Sequence, residues 1–291
     1  MNRTPPAKVM QILRTEVGFG CPVPNCGNPY LEWHHFNHVW KDKEHHNPEG
    51  MIALCAEHHK KADVGGFTNE QLHKFKLQGK KSFEKIKGRF DWLRNKLIVV
   101  IGGNLFYETL NILQIGTKPI IWLRRDENGY LLLNFRMLTL SGENRLILED
   151  NNWLQQGDLS DFECPPSGKL IKAKYPNGDV LKIEFFNLKS REELTSRYPK
   201  VGTKLLDSAF PSLVSNIEFP LTVVEVKNNV EGADISFNST AKMKNMIFEN
   251  CIFNKVEGFI IQLPYESKLL DPNLHNFLED FLFSRRTQMH I

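Results

Sequence analysis

The stretch CPVPNC at residues 21–26, answered by LCAEHH at residues 54–59, constrains this chain more than any other feature. Cys21-x4-Cys26 and Cys55-x2-His58 form two short knuckles that offer three thiolates and an imidazole, a donor set suited to Zn²⁺. Between them lies KDKEHHNPEG, too polar to bury much apolar surface, so a structural metal is expected to supply the cross-link. The competing reading, exposed thiols beside chance histidines, fits the knuckle spacing poorly. Five cysteines are too few to staple 291 residues with disulfides, and three of them cluster near histidines in the first fifth of the chain. Cys164 and Cys251 stand alone and read as buried thiols.

His34, His35, His38, His45, His46 and His59 occupy the same region. Adjacent residues on a strand point to opposite sides, so His34 and His35 cannot serve one centre together. Adjacent residues on a helix diverge by about 100°. If His58 turns to the zinc, His59 is therefore free for another role. Two readings remain open from spacing. A second divalent ion and a neutral imidazole that deprotonates water would suit phosphodiester cleavage. Alternatively, these histidines only pack or hydrogen-bond around the zinc. His38, His45 and His46 lie in or beside the charged loop and are expected to be solvated.

The pattern of apolar residues predicts a multidomain α+β chain. A short helix is expected over 6–18, strands at YLEWHHF and MIALC, and a helix from Ala56 to Asp63 ended by VGG. Thr68 and Gln71 form a capping-box pair for a further helix through TNEQLHKFKLQGKKSFEKIKGRFDWLRNKL, with interruptions at Gly79 and Gly88. Its lysines, Lys74 and Lys81 among them, read either as a solvated face or, beside a nuclease-like site, as phosphate contacts; Lys60 and Lys61 join them in the second reading. After residue 98 the texture turns to short β-prone runs. Hairpins are expected around DENG at 126–129 and around NG at 177–178, and a helix at SREELTSRY. The runs from 219 to 264 have the cadence of stacked strands with polar corners, and DPNLHNFLEDFLFSRRTQMHI predicts a closing helix. The expected division is 1–97 and 98–291, with a subdivision near 200–215.

Charge is uneven. Residues 1–100 hold 16 Lys and Arg against 10 Asp and Glu, whereas the remainder holds 21 against 24, so nucleic-acid affinity is expected in the first third. The polar start, MNRTPPAKVMQILRTEVG, does not read as a secretory signal, and no run reaches the length of an apolar membrane span. A reducing, cytoplasmic setting without membrane contact is the expectation.

Taken together, GFGCPVPNC, LEWHHF and NPEGMIALCAEHHKKAD resemble the HNH endonuclease family, over roughly residues 8–80. The resemblance implies a small zinc-stapled ββα-metal nuclease module with a helical extension, followed by a β-rich domain. It implies a structural Zn²⁺ on Cys21, Cys26, Cys55 and His58. It also implies a catalytic divalent ion, Mg²⁺ with Mn²⁺, Ni²⁺ or Zn²⁺ as alternatives, on His34 and His59, and His35 as general base. The family's middle asparagine falls at Gly50 here, and Asn47 stands nearby as loop support. The implied activity is metal-dependent hydrolysis of DNA, double-stranded by expectation, in a bacterial defence or mobile-element effector. The β-rich domain would then sense, target, bind a protein partner or form a homodimer. The alternative is a catalytically inactive, zinc-stapled nucleic-acid-binding protein.

Overall fold

The structure is a computed structural model and describes residues 3–79, 86–115, 118–139, 145–201, 217–232, 235–238, 240–243 and 246–261. It has a multidomain α+β architecture. One compact unit comprises Met1–Asp91 and Asn152–Pro176, and the other Trp92–Asn151 and Asn177–Ile291.

The first unit opens with α1 (Ala7–Glu16), β1 (Leu31–His35), β2 (Met51–Cys55), α2 (Ala56–Asp63), α3 (Asn69–Gly79) and β3 (Ile86–Arg89). β1 and β2 pair antiparallel, with Leu31 opposite Cys55 and His35 opposite Met51. All five residues of MIALC are buried, so β2 is the central floor on which the helices settle. Leu13, Val17, Leu31, Phe36, Ile52, Leu54 and Leu72 share that core. α3 starts where the capping box placed it: the Gln71 amide donates to Thr68 Oγ1 at 3.3 Å, and the Thr68 amide to Gln71 Oε1 at 2.8 Å.

The long basic helix expected beyond α3 does not extend to Arg89. Residues 86–89 form a strand instead, antiparallel to Asn152–Gln155, with Ile86 opposite Gln155. Tertiary partners outweigh helical spacing here. The Tyr30 hydroxyl accepts from the Arg89 amide at 3.0 Å, and a Cβ on Gly88 would come 2.3 Å from the Trp153 ring. Gly79, expected as an interruption, is the last residue of α3, where a Cβ would meet the Val17 Cα at 2.8 Å. Lys81 lies outside the described residues.

A second tie was invisible in the sequence. Arg14 of α1 forks onto Asp161, with Nε to Oδ1 at 3.0 Å and Nη2 to Oδ2 at 2.9 Å, both side chains being buried. The strand Asp161–Glu163 in turn pairs antiparallel with Leu170–Lys174.

The second unit is mostly strands. Lys118–Arg125 and Leu131–Arg136 form the hairpin expected around DENG, and Asp126 Oδ1 accepts from the amides of Asn128 and Tyr130 to shape its turn. Val180–Leu188 pairs antiparallel with Leu221–Val230, and Leu97–Ile101 runs parallel to the latter. Of the runs expected to stack on one another, Leu221–Val230, Ile235–Phe237, Ala241–Met243 and Met246–Phe248 instead pair antiparallel in turn. Ile252–Asn254 and Phe259–Ile261 lie parallel to Asn104–Tyr107 and Asn111–Ile115 and form two strand–corner–strand layers with them. Phe106 and Phe253 stack face to face between the layers at 4.7 Å. The helix at SREELTSRY forms as Arg191–Arg197, capped by Ser190. Both runs flanking NG are strands, Leu170–Lys174 in the first unit and Val180–Leu188 in the second. The closing helix lies outside the described residues, as does almost all of the 200–215 segment. No helix of the described residues is long and apolar enough to cross a membrane.

Candidate metal centres

Local backbone geometry turns both knuckles inward. The Cys26 amide donates to Val23 O at 3.0 Å and the Gly27 amide to Cys21 O at 3.1 Å, with Asn25 and Gly27 at positive φ. This curls the first loop so that both thiols face β2. Cys55 ends β2 and caps α2, and one helical turn brings His58 back over it. Cys21 Sγ lies 3.4 Å from His58 Nδ1, Cys55 Sγ 3.3 Å from the same atom, and Cys26 Sγ 3.8 Å from Cys55 Sγ.

Tetrahedral bonds of about 2.3 Å to sulfur and about 2.0 Å to nitrogen would space ligands roughly 3.5–3.8 Å apart. The observed separations fit one such ion. Burial pushes the Cys21 and Cys55 thiols up, so thiolates here require a compensating cation. Burial lowers His58, assisted by the Lys61 charge, which keeps its imidazole neutral and able to donate a lone pair.

A second cluster stands apart. His34, His59 and Asp63 bring three donor atoms within 4.8 Å of one another. His34 Nδ1 is 3.1 Å from Asp63 Oδ1, and His59 Nδ1 is 3.7 Å from Asp63 Oδ2. The two rings meet edge to face at 5.2 Å. Glu32 Oε2 lies 3.1 Å from the same His59 nitrogen. Burial lowers His34, and the neighbouring His59 charge adds to the effect against an opposing pull from Asp63. Two imidazoles and a half-exposed carboxylate form an open, oxygen- and nitrogen-rich donor set of the kind that leaves coordination positions for solvent or substrate.

Strand alternation sends His35 the other way, into the loop of residues 36–47. Its Nε2 is 3.0 Å from His45 O, and the Trp40 and His45 rings pack against it at 5.0 and 5.1 Å. Burial holds its imidazole down at about 4, so it is neutral at pH 7. His34 and His35 thus serve two different surroundings.

The other sequence candidates separate into distinct roles. Asn47 caps the short 3-10 turn Pro48–Gly50, its Oδ1 accepting from the Glu49 amide at 3.3 Å. At Gly50 a Cβ would lie 2.7 Å from Asn37 O, so no asparagine fits that position without moving the loop. Lys60 and Lys74 are exposed, whereas Lys61 is held by Glu57 at 2.6 Å. Lys76, grouped with the basic face by spacing, instead bonds Met51 O at 3.0 Å, Pro48 O, and Glu16 at 3.1 Å. His45, expected solvated, is bonded through both ring nitrogens.

Asp63 and Glu32 escaped the sequence reading. The signals were present: Asp63 follows His59 by one helical turn, and Glu32 precedes His34 by one strand repeat. No family model matches the chain, and neither a curated protein nor a solved structure matches it.

Proposed function

We propose that this chain is a metal-dependent endonuclease of HNH type that hydrolyses phosphodiester bonds in DNA. The reading is carried by one relationship: adjacent His34 and His35 face opposite ways, one toward a three-ligand cluster and the other toward the loop of residues 36–47, where its own burial keeps it neutral. In this reading Cys21, Cys26, Cys55 and His58 hold a structural Zn²⁺. His34, His59 and Asp63 hold an exchangeable divalent ion, Mg²⁺ by preference. Such an ion, when bound, supplies electrostatic stabilisation of charge developing on the phosphate.

The chain's own residues do the rest. His35 takes a proton from water, the oxygen of that water adds to phosphorus, and the bond from phosphorus to the leaving ester oxygen breaks, that oxygen keeping the electron pair and taking a proton from solvent. Lys60 and Lys74, exposed near the module's helices, contact backbone phosphates; Lys81 is assigned the same role from sequence. Residues 1–97 are proposed as the nuclease module, and the β-rich remainder as the part that chooses the target or the assembly.

The test is incubation of the purified full chain with plasmid, linear duplex and RNA in Mg²⁺, Mn²⁺ or chelator. Metal-dependent scission of DNA is expected. Retained DNA binding without scission of any substrate would favour a non-cleaving binding platform.

A further inference from the structure

The loop between β1 and β2 contains an imidazole whose protonation pattern follows from its partners. His45 Nδ1 lies 3.1 Å from the Asn47 amide nitrogen, which can only donate. His45 Nε2 lies 2.9 Å from His38 O, which can only accept. Both bonds form together in a single state, with Nδ1 bare and the proton on Nε2. The ring therefore bridges residues 38 and 47 and closes the loop on itself.

That closure fixes the backbone carbonyl of His45, which lies 3.0 Å from His35 Nε2. A carbonyl accepts only, so the His35 proton must sit on Nε2, leaving Nδ1 as the bare lone pair. Gly50 completes the arrangement. A Cβ there would meet His45 Cε1 at 2.9 Å as well as Asn37 O, so the ring is seated against bare backbone. The Gly50 carbonyl in turn accepts from the amides of Phe36 and Asn37 at 3.0 and 3.2 Å, joining the same turn to the end of β1.

We infer that His45 is a positioning residue: by closing its loop, it aims its own carbonyl at His35 and fixes the tautomer whose Nδ1 receives the proton of the attacking water. The consequence for turnover rests on the nuclease reading; the tautomer does not.

The experiment is long-range ¹H–¹⁵N spectroscopy of the histidine rings in the full chain, paired with cleavage kinetics. Wild-type His35 and His45 should both show a protonated Nε2 and a bare Nδ1. In His45→Ala, the His35 signals should move toward a tautomer mixture, and kcat should fall about tenfold or more while KM for DNA stays within about twofold. His45→Gln, whose amide can still donate toward His38 O, should recover part of both, and it serves as the readout should His45→Ala fold poorly. A wild-type His35 protonated on Nδ1, or a His45→Ala or His45→Gln protein with unaltered His35 signals and kcat, would overturn the inference. A wild-type protein that cleaves nothing but shows the expected tautomers would sink the nuclease reading alone.

Discussion

The Nδ1 atom of His34 lies 3.1 Å from Oδ1 of Asp63, joining the penultimate residue of a strand to the last residue of a helix. Neither residue could reach the other unless β1 and α2 packed face to face, and His59 enters the same space because it stands one turn before Asp63. A carboxylate so placed neutralises part of a cation's charge, which an imidazole lone pair cannot do. Asp63→Ala should weaken binding of an exchangeable Mn²⁺ by about 10-fold or more, on the scale by which groups around a metal alter its affinity. Calorimetric titration of the zinc-loaded protein checks this, and unchanged Mn²⁺ affinity would remove Asp63 from the site.

The cluster of Cys21, Cys26, Cys55 and His58 makes a different prediction, because in the proposed reading the zinc they hold ties two loops together. Cys26→Ser should lower bound zinc from one equivalent per chain and leave residues 21–58 exposed to protease. A strong chelator should do the same to the wild-type protein. Elemental analysis and limited proteolysis check both arms. A Cys26→Ser protein with full zinc and wild-type resistance would contradict the assignment.

How far this was legible in the sequence follows from which forces are local. The knuckles, β1, β2 and α2 were readable because their spacing and apolar runs are short-range properties, and α2 begins and ends where Ala56 and VGG placed it. The capping box at Thr68 was readable for the same reason. β3 was not, because Ile86–Arg89 becomes a strand through partners at Asn152–Gln155, more than sixty residues away. Asp63 lay in plain view, but a carboxylate on a helix is ordinarily solvent-facing until the strand opposite is known. His45 was misjudged on composition, since a charged loop suggests solvated side chains and its ring instead holds that loop together.

Gly50 ties those local and tertiary effects to a simple substitution. Any Cβ there collides with Asn37 O and the His45 ring, so Gly50→Ala should cost about 1–3 kcal/mol, the range for a group forced into filled space. Urea unfolding gives the value. A change below a few tenths of a kcal/mol would show that the loop gives way freely.

The buried fork of Arg14 on Asp161 predicts an asymmetry between single and paired substitutions. Asp161→Ala alone leaves a buried guanidinium unpaired and should destabilise by about 3–5 kcal/mol. Arg14→Met combined with Asp161→Leu should cost much less, because nothing charged is left behind. Denaturation of both variants decides it; equal losses would mean that shape rather than charge pairing dominates the contact.

In the proposed mechanism His34 and His35 divide the work, one within the ligand cluster and one as the base. The most direct measurement is DNA cleavage by His35→Ala at saturating Mg²⁺, with zinc content and Mn²⁺ affinity measured on the same sample. A loss of about 100-fold or more in turnover is expected, the usual contribution of a general base, with both metal readings unchanged. Undiminished cleavage by His35→Ala would contradict the mechanism.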